Sequence, residues 1–271
     1  MPYVQTSDLN IYYEVIDATS PSCADVQTIV FHHGIGADPG IWRDWLPFLI
    51  DHFRVVIFDM RGYGRSVNSN HKIEYSLDIL TQDVLRVIDA QGGGSVHLVG
   101  ESIGGTIGLN LAIRYPDRIK SLTVSNGGHV GSSIERVNLW QETIDTHGIK
   151  AWSDEFMVNR FYPDSLSAEK SAWFASKQES WTRDGILSPI RVLVNTNLLN
   201  ELKHIDCEVL IMHPDKSPFI PVGVSVDLFQ HLKNARLQVF ARAKHGLPYS
   251  HSSQCAQMLR QFLEEIERSK N

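Results

Sequence analysis

Seven short runs in the chain are apolar at nearly every position: IYYEVI (11–16), TIVFHH (28–33), FRVVIFD (53–59), SVHLVG (95–100), IKSLTVSN (119–126), EVLIMH (208–213) and RLQVFA (236–241). A strand with one wet face alternates apolar and polar residues. Unbroken apolar runs suit strands covered on both faces, as in a parallel sheet. Helical patterns fall between them. SLDILTQDVLRVIDAQ (76–91) places Leu77, Leu80, Val84, Leu85 and Ile88 at helical spacing. IGGTIGLNLAIRYP (103–116) reads as helix until Pro116 stops it. SHSSQCAQMLRQFLEEIERS (250–269) is amphipathic, with a serine available as N-cap. Alternating strands and helices predict an α/β fold with a mostly parallel central sheet.

From about Gly127 to Leu202 this rhythm breaks, and no strand pattern appears. Trp140, Trp152, Trp173 and Trp181 all fall there. The stretch reads as a helical insertion over the carboxyl edge of the sheet, where open α/β sheets bind ligands. The expected division is a core domain of residues 1–126 and 203–271, with a helical cap over 127–202. Tryptophan is first a large apolar residue, so most of the four are expected to hold the cap together.

Composition narrows the function classes. Hydrophobic residues make up 42% of 271 and charged residues 21%, ordinary for a globular protein with a sizeable core. The formal net charge is −6 without a basic cluster, which argues against nucleic acid or an anionic membrane as partner. No apolar run reaches the length of a bilayer span, and MPYVQTSDLNIYYEV lacks a signal pattern. Three widely spaced cysteines (Cys23, Cys207, Cys255) suggest neither a disulfide framework nor a metal motif. A reducing, cytoplasmic setting is the expectation. No metal, nucleotide or flavin motif is present, so no cofactor is implied. A homodimer is left open.

The chemistry enters at SVHLVGESIGGTIG (95–108), which contains Gly100-Glu101-Ser102-Ile103-Gly104. This is G-x-S-x-G between an apolar strand and a helix. A sharp turn there puts the serine in a strained conformation and projects its hydroxyl from the sheet edge. The helix behind it favours negative charge. Three further segments keep it company: VFHHGIGADPGIW (30–42), FDMRGYGRS (58–66) and AKHGLP (243–248). In this order the four motifs resemble the α/β-hydrolase fold family over essentially the whole chain. The motifs are specific for the fold and much less so for the substrate.

That resemblance implies roles by position. Ser102 is the expected nucleophile and His245 the expected general base. The backbone N–H groups of Ile35 and Ile103 are the expected oxyanion hole. Of twelve histidines, only His245 follows the last strand run and precedes the last helix. Asp59 belongs to loop structure in the D-x-R-G pattern, and Glu101 is expected to anchor local hydrogen bonds. The third triad member is unsettled. Aligned on Pro221, the family's aspartate position is Ser217, and the alternative position after the preceding strand is Asn126; neither is an acid. Three readings stay open: Asp215 serves from two residues earlier, Asn126 orients the histidine as a neutral amide, or no acid exists. Asp215 is favoured, as the carboxylate in the expected turn.

Residues 125–164 are similar to the corresponding stretch of 3-oxoadipate enol-lactonases, enzymes of aromatic-compound catabolism. The similarity lies in the Asn after the strand, a W-x-x-x-I pattern and "RF" followed by proline. It implies a small, anionic lactone, ester or amide, with Arg160 or Arg136 as its carboxylate clamp and Trp140 as a pocket wall. The expected activity is that of a serine hydrolase. A carbon–carbon bond hydrolase and a low-turnover ligand receptor on the same fold are the alternatives.

Overall fold

The computed structural model describes residues 2–23, 25–67, 73–135 and 137–269. Among the described residues, eight strands form one sheet: β1 (Tyr3–Gln5), β2 (Asn10–Ile16), β3 (Gln27–His32), β4 (Phe53–Phe58), β5 (Val96–Glu101), β6 (Ile119–Ser125), β7 (Glu208–Pro214) and β8 (Ala235–Phe240). Their spatial order is β1-β2-β4-β3-β5-β6-β7-β8. The first two strands pair antiparallel and the rest pair parallel. The seven apolar runs are β2 to β8. β1 is a three-residue edge strand that the pattern missed.

In β3 to β7 the unbroken apolar runs are explained by burial on both faces, whereas β2 and β8, nearer the sheet edges, leave Val15 and Val239 exposed. Ile29, Phe31, Val55, Ile57, Val99, Leu210 and Met212 point into one core, with Trp42, Trp45, Leu259 and Phe262. Their neighbours Val30, Val56, Phe58, Leu98, Val124, Val209 and Ile211 point into the other, with Val84, Ile107 and Leu228. At about 25 cal/mol for each Å² of apolar surface buried, such two-sided burial is the main term holding the sheet.

The helices are α1 (Leu77–Asp89), α2 (Ile103–Arg114), α3 (Val137–Arg160), α4 (Ala168–Glu179), α5 (Arg183–Val194), α6 (Val222–His231), α7 (Leu247–Ser250) and α8 (Ser252–Arg268). Ser76 caps α1 by accepting the Ile79 N–H at 3.1 Å. α3, α4 and α5 run in succession between β6 and β7. α3 is broken at Gly148, whose φ of 83° lies in the left-handed region that glycine tolerates. Among the described residues no helix is long and apolar enough to cross a membrane.

Candidate active site

β5 ends at Glu101 and α2 begins at Ile103, so Ser102 alone makes the turn. Its φ of 55° and ψ of −117° are strained for a residue with a side chain. Strain of this kind costs about 1–3 kcal/mol and persists only where the surroundings enforce it. Here they do: the Ser102 N–H donates to the Ser125 carbonyl at 2.8 Å, and Gly105 N–H donates back to the Ser102 carbonyl at 3.0 Å. The turn is so tight that a Cβ on Gly100 would collide with the Gly104 carbonyl.

His245 lies 143 residues further on, in the loop after β8. Its Nε2 stands 3.3 Å from Ser102 Oγ. The loop is held from two sides. Asn126, itself at a positive φ of 54°, donates through Nδ2 to the His245 carbonyl at 2.5 Å. Gly246 N–H donates to the Arg160 carbonyl at 2.9 Å. The edge of Phe219 meets the imidazole, with ring centroids 5.1 Å apart. Burial pushes the His245 pKa well below the ordinary histidine range, and the charge of Arg160 and then His213 push it the same way. The ring is therefore a neutral imidazole, able to accept a proton.

The third position corrects the expectation from sequence. Ser217 Oγ, not a carboxylate, lies 3.1 Å from His245 Nδ1. Asp215 faces elsewhere: its Oδ1 accepts the Ala243 N–H at 3.0 Å, and its own N–H donates to the Phe240 carbonyl at 2.9 Å. It pins the loop after β7 to the loop after β8, which is ordinary turn chemistry. Asn126 likewise holds the backbone of His245 rather than its ring. The spacing from Pro221 pointed to position 217. The preference for a carboxylate pointed away from it.

The side of the site where an oxyanion hole is expected is built from the end of β3. His33 Nε2 accepts the Met60 N–H at 3.0 Å, and its Nδ1 lies 2.9 Å from the Gly34 carbonyl, so the ring ties this loop to the end of β4. Burial pushes the His33 pKa down to about 4, which keeps it in that neutral bridging form. Gly34 N–H donates to Glu101 Oε2 at 2.7 Å. A Cβ on Gly34 would stand 2.9 Å from Ser102 Cβ, so only glycine lets the loop approach the elbow this closely. Ile35 follows and borders the cavity beside Ser102 and His245. Ile103 is the first residue of α2, so its N–H has no acceptor within the helix. Asp59 serves its loop by accepting the Arg65 N–H at 2.8 Å. Arg61 is held by Asp83 and Asp8.

Arg160 does not reach the cavity. It is buried and donates through Nη2 to Glu101 Oε1 at 2.9 Å, while its guanidinium sits over the Phe156 and Phe174 rings. The carboxylate-clamp role expected for it is taken by an internal partner. Arg136 lies outside the described residues. Trp140 does wall the cavity, together with Ile134, Phe156, Ile190, Phe219 and Ile220. It also packs edge-on against Phe156 and Phe219, so pocket wall and packing residue are one role. Among the described residues the lining is apolar apart from Ser102, His245 and the indole of Trp140, and the space has room for about one water molecule.

This arrangement can abstract a proton from Ser102 and shelter an oxyanion in an apolar, nearly dry site. The family profile described as alpha/beta hydrolase fold matches residues 27–182, more than half of the chain, and the chain belongs to that family. RutD of Caulobacter segnis, a protein named for carbamate hydrolysis, is 29% identical over 248 residues, covering 88% of this chain and 91% of RutD. The 2-hydroxymuconate semialdehyde hydrolase of a Pseudomonas strain is 27% identical over 254 residues, covering 87% of this chain and 86% of that enzyme. Among solved structures, the enol-lactonase of Burkholderia xenovorans superposes with a TM-score of 0.86 at 22% identity, over 97% of this chain and 100% of the other, a likeness of fold.

Proposed function

We propose that the protein is a serine hydrolase of a small lactone, ester or amide, with Ser102 as nucleophile and His245 as general base. The observation that carries this reading is the 3.3 Å approach of His245 Nε2 to a hydroxyl held in a strained turn. Ser102 Oγ attacks the acyl carbon and its proton passes to Nε2. The carbonyl oxygen takes up the negative charge between the Ile35 and Ile103 N–H groups, each such donor contributing about 3 kcal/mol to the transition state. The bond to the leaving group breaks, its electron pair leaves with it, and Nε2 gives up the proton it took, to the leaving group or, where that group departs as a stable anion, to solvent. Water then attacks the acyl-enzyme, His245 takes its proton, and Ser102 Oγ regains one as the acid departs.

The helical segment 127–202 acts in this reading as a cap, because Trp140, Phe156 and Ile190 roof the nucleophile. The apolar lining favours an uncharged acyl group over a carboxylated one, because Arg160 is engaged by Glu101. A second reading, a ligand receptor with little turnover, is favoured by the hydroxyl that stands where an acid would stabilise the imidazolium. Labelling with a fluorophosphonate, alongside hydrolysis of p-nitrophenyl esters and small lactones, separates the two. A hydrolase labels at Ser102, turns substrates over and loses both on Ser102→Ala. A receptor shows ligand-induced thermal shifts without turnover.

A further inference from the structure

Resting on the hydrolase reading, we propose that Ser217 is the positioning residue of His245. Being neutral, it also tunes the site toward substrates whose leaving group departs as a stable anion, namely aryl and enol esters and enol lactones.

The geometry excludes other orienters. Ser217 Oγ lies 3.1 Å from Nδ1. The carboxylates of Asp215 and Glu101 are committed elsewhere, Asp215 to the Ala243 N–H and Glu101 to Gly34 and Arg160. The charged and titratable groups acting on the ring are Arg160 at the end of α3 and His213 on β7, and Glu101 at the end of β5 is paired with Arg160. Arg160 and His213 both disfavour a protonated His245.

A carboxylate can only accept a hydrogen bond, so it enforces the tautomer with the proton on Nδ1 and leaves Nε2 free to serve as base. A hydroxyl can accept or donate. Ser217 Oγ already accepts the Ile220 N–H at 3.2 Å, which leaves it one lone pair for an Nδ1–H donor. It thus supports the productive tautomer without the negative charge that stabilises the imidazolium.

That difference falls unevenly on substrates. In every case the Oγ–H bond breaks, an Oγ–C bond forms and the proton moves to Nε2. An alkoxide or amine leaving group must then collect that proton from an imidazolium that has to persist until the C–O or C–N bond breaks. An aryloxide or enolate leaves with the electron pair and needs no proton. An unsupported imidazolium therefore penalises the first group more. The apolar walls of the cavity suit the second.

The test uses the full chain as wild type and as Ser217→Ala, Ser217→Thr and Ser217→Asp. The substrates are p-nitrophenyl, phenyl and ethyl acetate, and a fluorophosphonate labels Ser102. Ser217→Ala should lower kcat on p-nitrophenyl acetate about tenfold with little change in KM, the loss of one hydrogen bond. Ser217→Thr, which keeps the hydroxyl, should restore most of it. Ser217→Asp should raise kcat/KM for ethyl acetate at least about tenfold, raise p-nitrophenyl acetate less, and move the pH midpoint of labelling upward. An unchanged kcat in Ser217→Ala, or equal gains on all three esters in Ser217→Asp, overturns the proposal. Wild type that neither labels nor hydrolyses overturns the hydrolase reading and this one with it. If wild type labels and turns over but the three variants match it, only the role of Ser217 falls.

Discussion

Replacing Arg160 by methionine tests the buried ion pair that joins the end of α3 to the turn at Ser102. Glu101 and Arg160 are 2.9 Å apart with side chains 2% and 1% exposed. Burial pulls both toward neutrality, raising the Glu101 pKa and lowering that of Arg160. Arg160→Met leaves a buried carboxylate with one N–H partner, that of Gly34, and no counter-charge. Breaking such a pair costs about 3–5 kcal/mol. For 271 residues the entropy of unfolding is about 0.57 kcal/mol/K, so a loss of 4 kcal/mol lowers Tm by about 7 °C. The double variant Glu101→Gln/Arg160→Met removes both charges and keeps an acceptor for Gly34. It also removes two guanidinium nitrogens, Nε and Nη1, that find no hydrogen-bond partner among the described residues. It should therefore recover most of the loss, because a buried pair is often no more stable than an apolar replacement. Calorimetry on the four members of the cycle reads this directly. A Tm drop below about 2 °C in Arg160→Met, or additive losses in the double variant, refutes the reasoning.

Four further outcomes follow from the geometry. Asp215→Asn keeps an acceptor for Ala243 N–H and should leave kcat within about twofold, against the roughly 10⁴-fold loss expected of a triad acid; steady-state kinetics decides. Gly34→Ala places a Cβ 2.5 Å from Glu101 Oε2, which displaces Ile35 and should lower kcat by about 10² or more while the fold, read by circular dichroism, survives. Fluorophosphonate labelling should stay level from mildly alkaline pH down through 6.5, the ordinary histidine value, because His245 remains neutral there; a midpoint near 6.5 contradicts this. His32, held down to about 3, and His33 and His213, each held down to about 4, take no proton in the native state where the unfolded chain does. Stability is then full above 6.5 and falls by up to about 1.4 kcal/mol per histidine per pH unit as pH drops from there toward 4. Asp59, held up to about 6, partly offsets this in the same window. An equal urea midpoint at neutral pH and near pH 5 would count against it.

The strands and the elbow were legible because their signals are local. Two-sided burial writes an unbroken apolar run, and the turn at Ser102 needs its flanking glycines. β1 was missed because three edge residues carry no period. The helix α6 was missed behind Pro221, and the 3-10 segment Pro39–Phe48 behind its prolines. Ser217 stood in plain view at the right spacing, yet residue chemistry drew attention to the nearby carboxylate. The Glu101–Arg160 pair spans 59 residues, and nothing local announces it. It turned an expected substrate contact into an internal one.

The groups proposed to do the chemistry come from the ends of β3, β5, β7 and β8, with Asn126 after β6 holding the His245 loop, and Ser102 and His245 are 143 residues apart. Closing so long a loop is entropically expensive and is repaid only when the intervening strands have paired. No collapsed intermediate lacking β8 has a base, and none lacking β6 holds the serine in its turn. Under the proposed roles, labelling at Ser102 reports the assembly of the sheet from β3 to β8, and its recovery after dilution from denaturant should trail the return of helical signal.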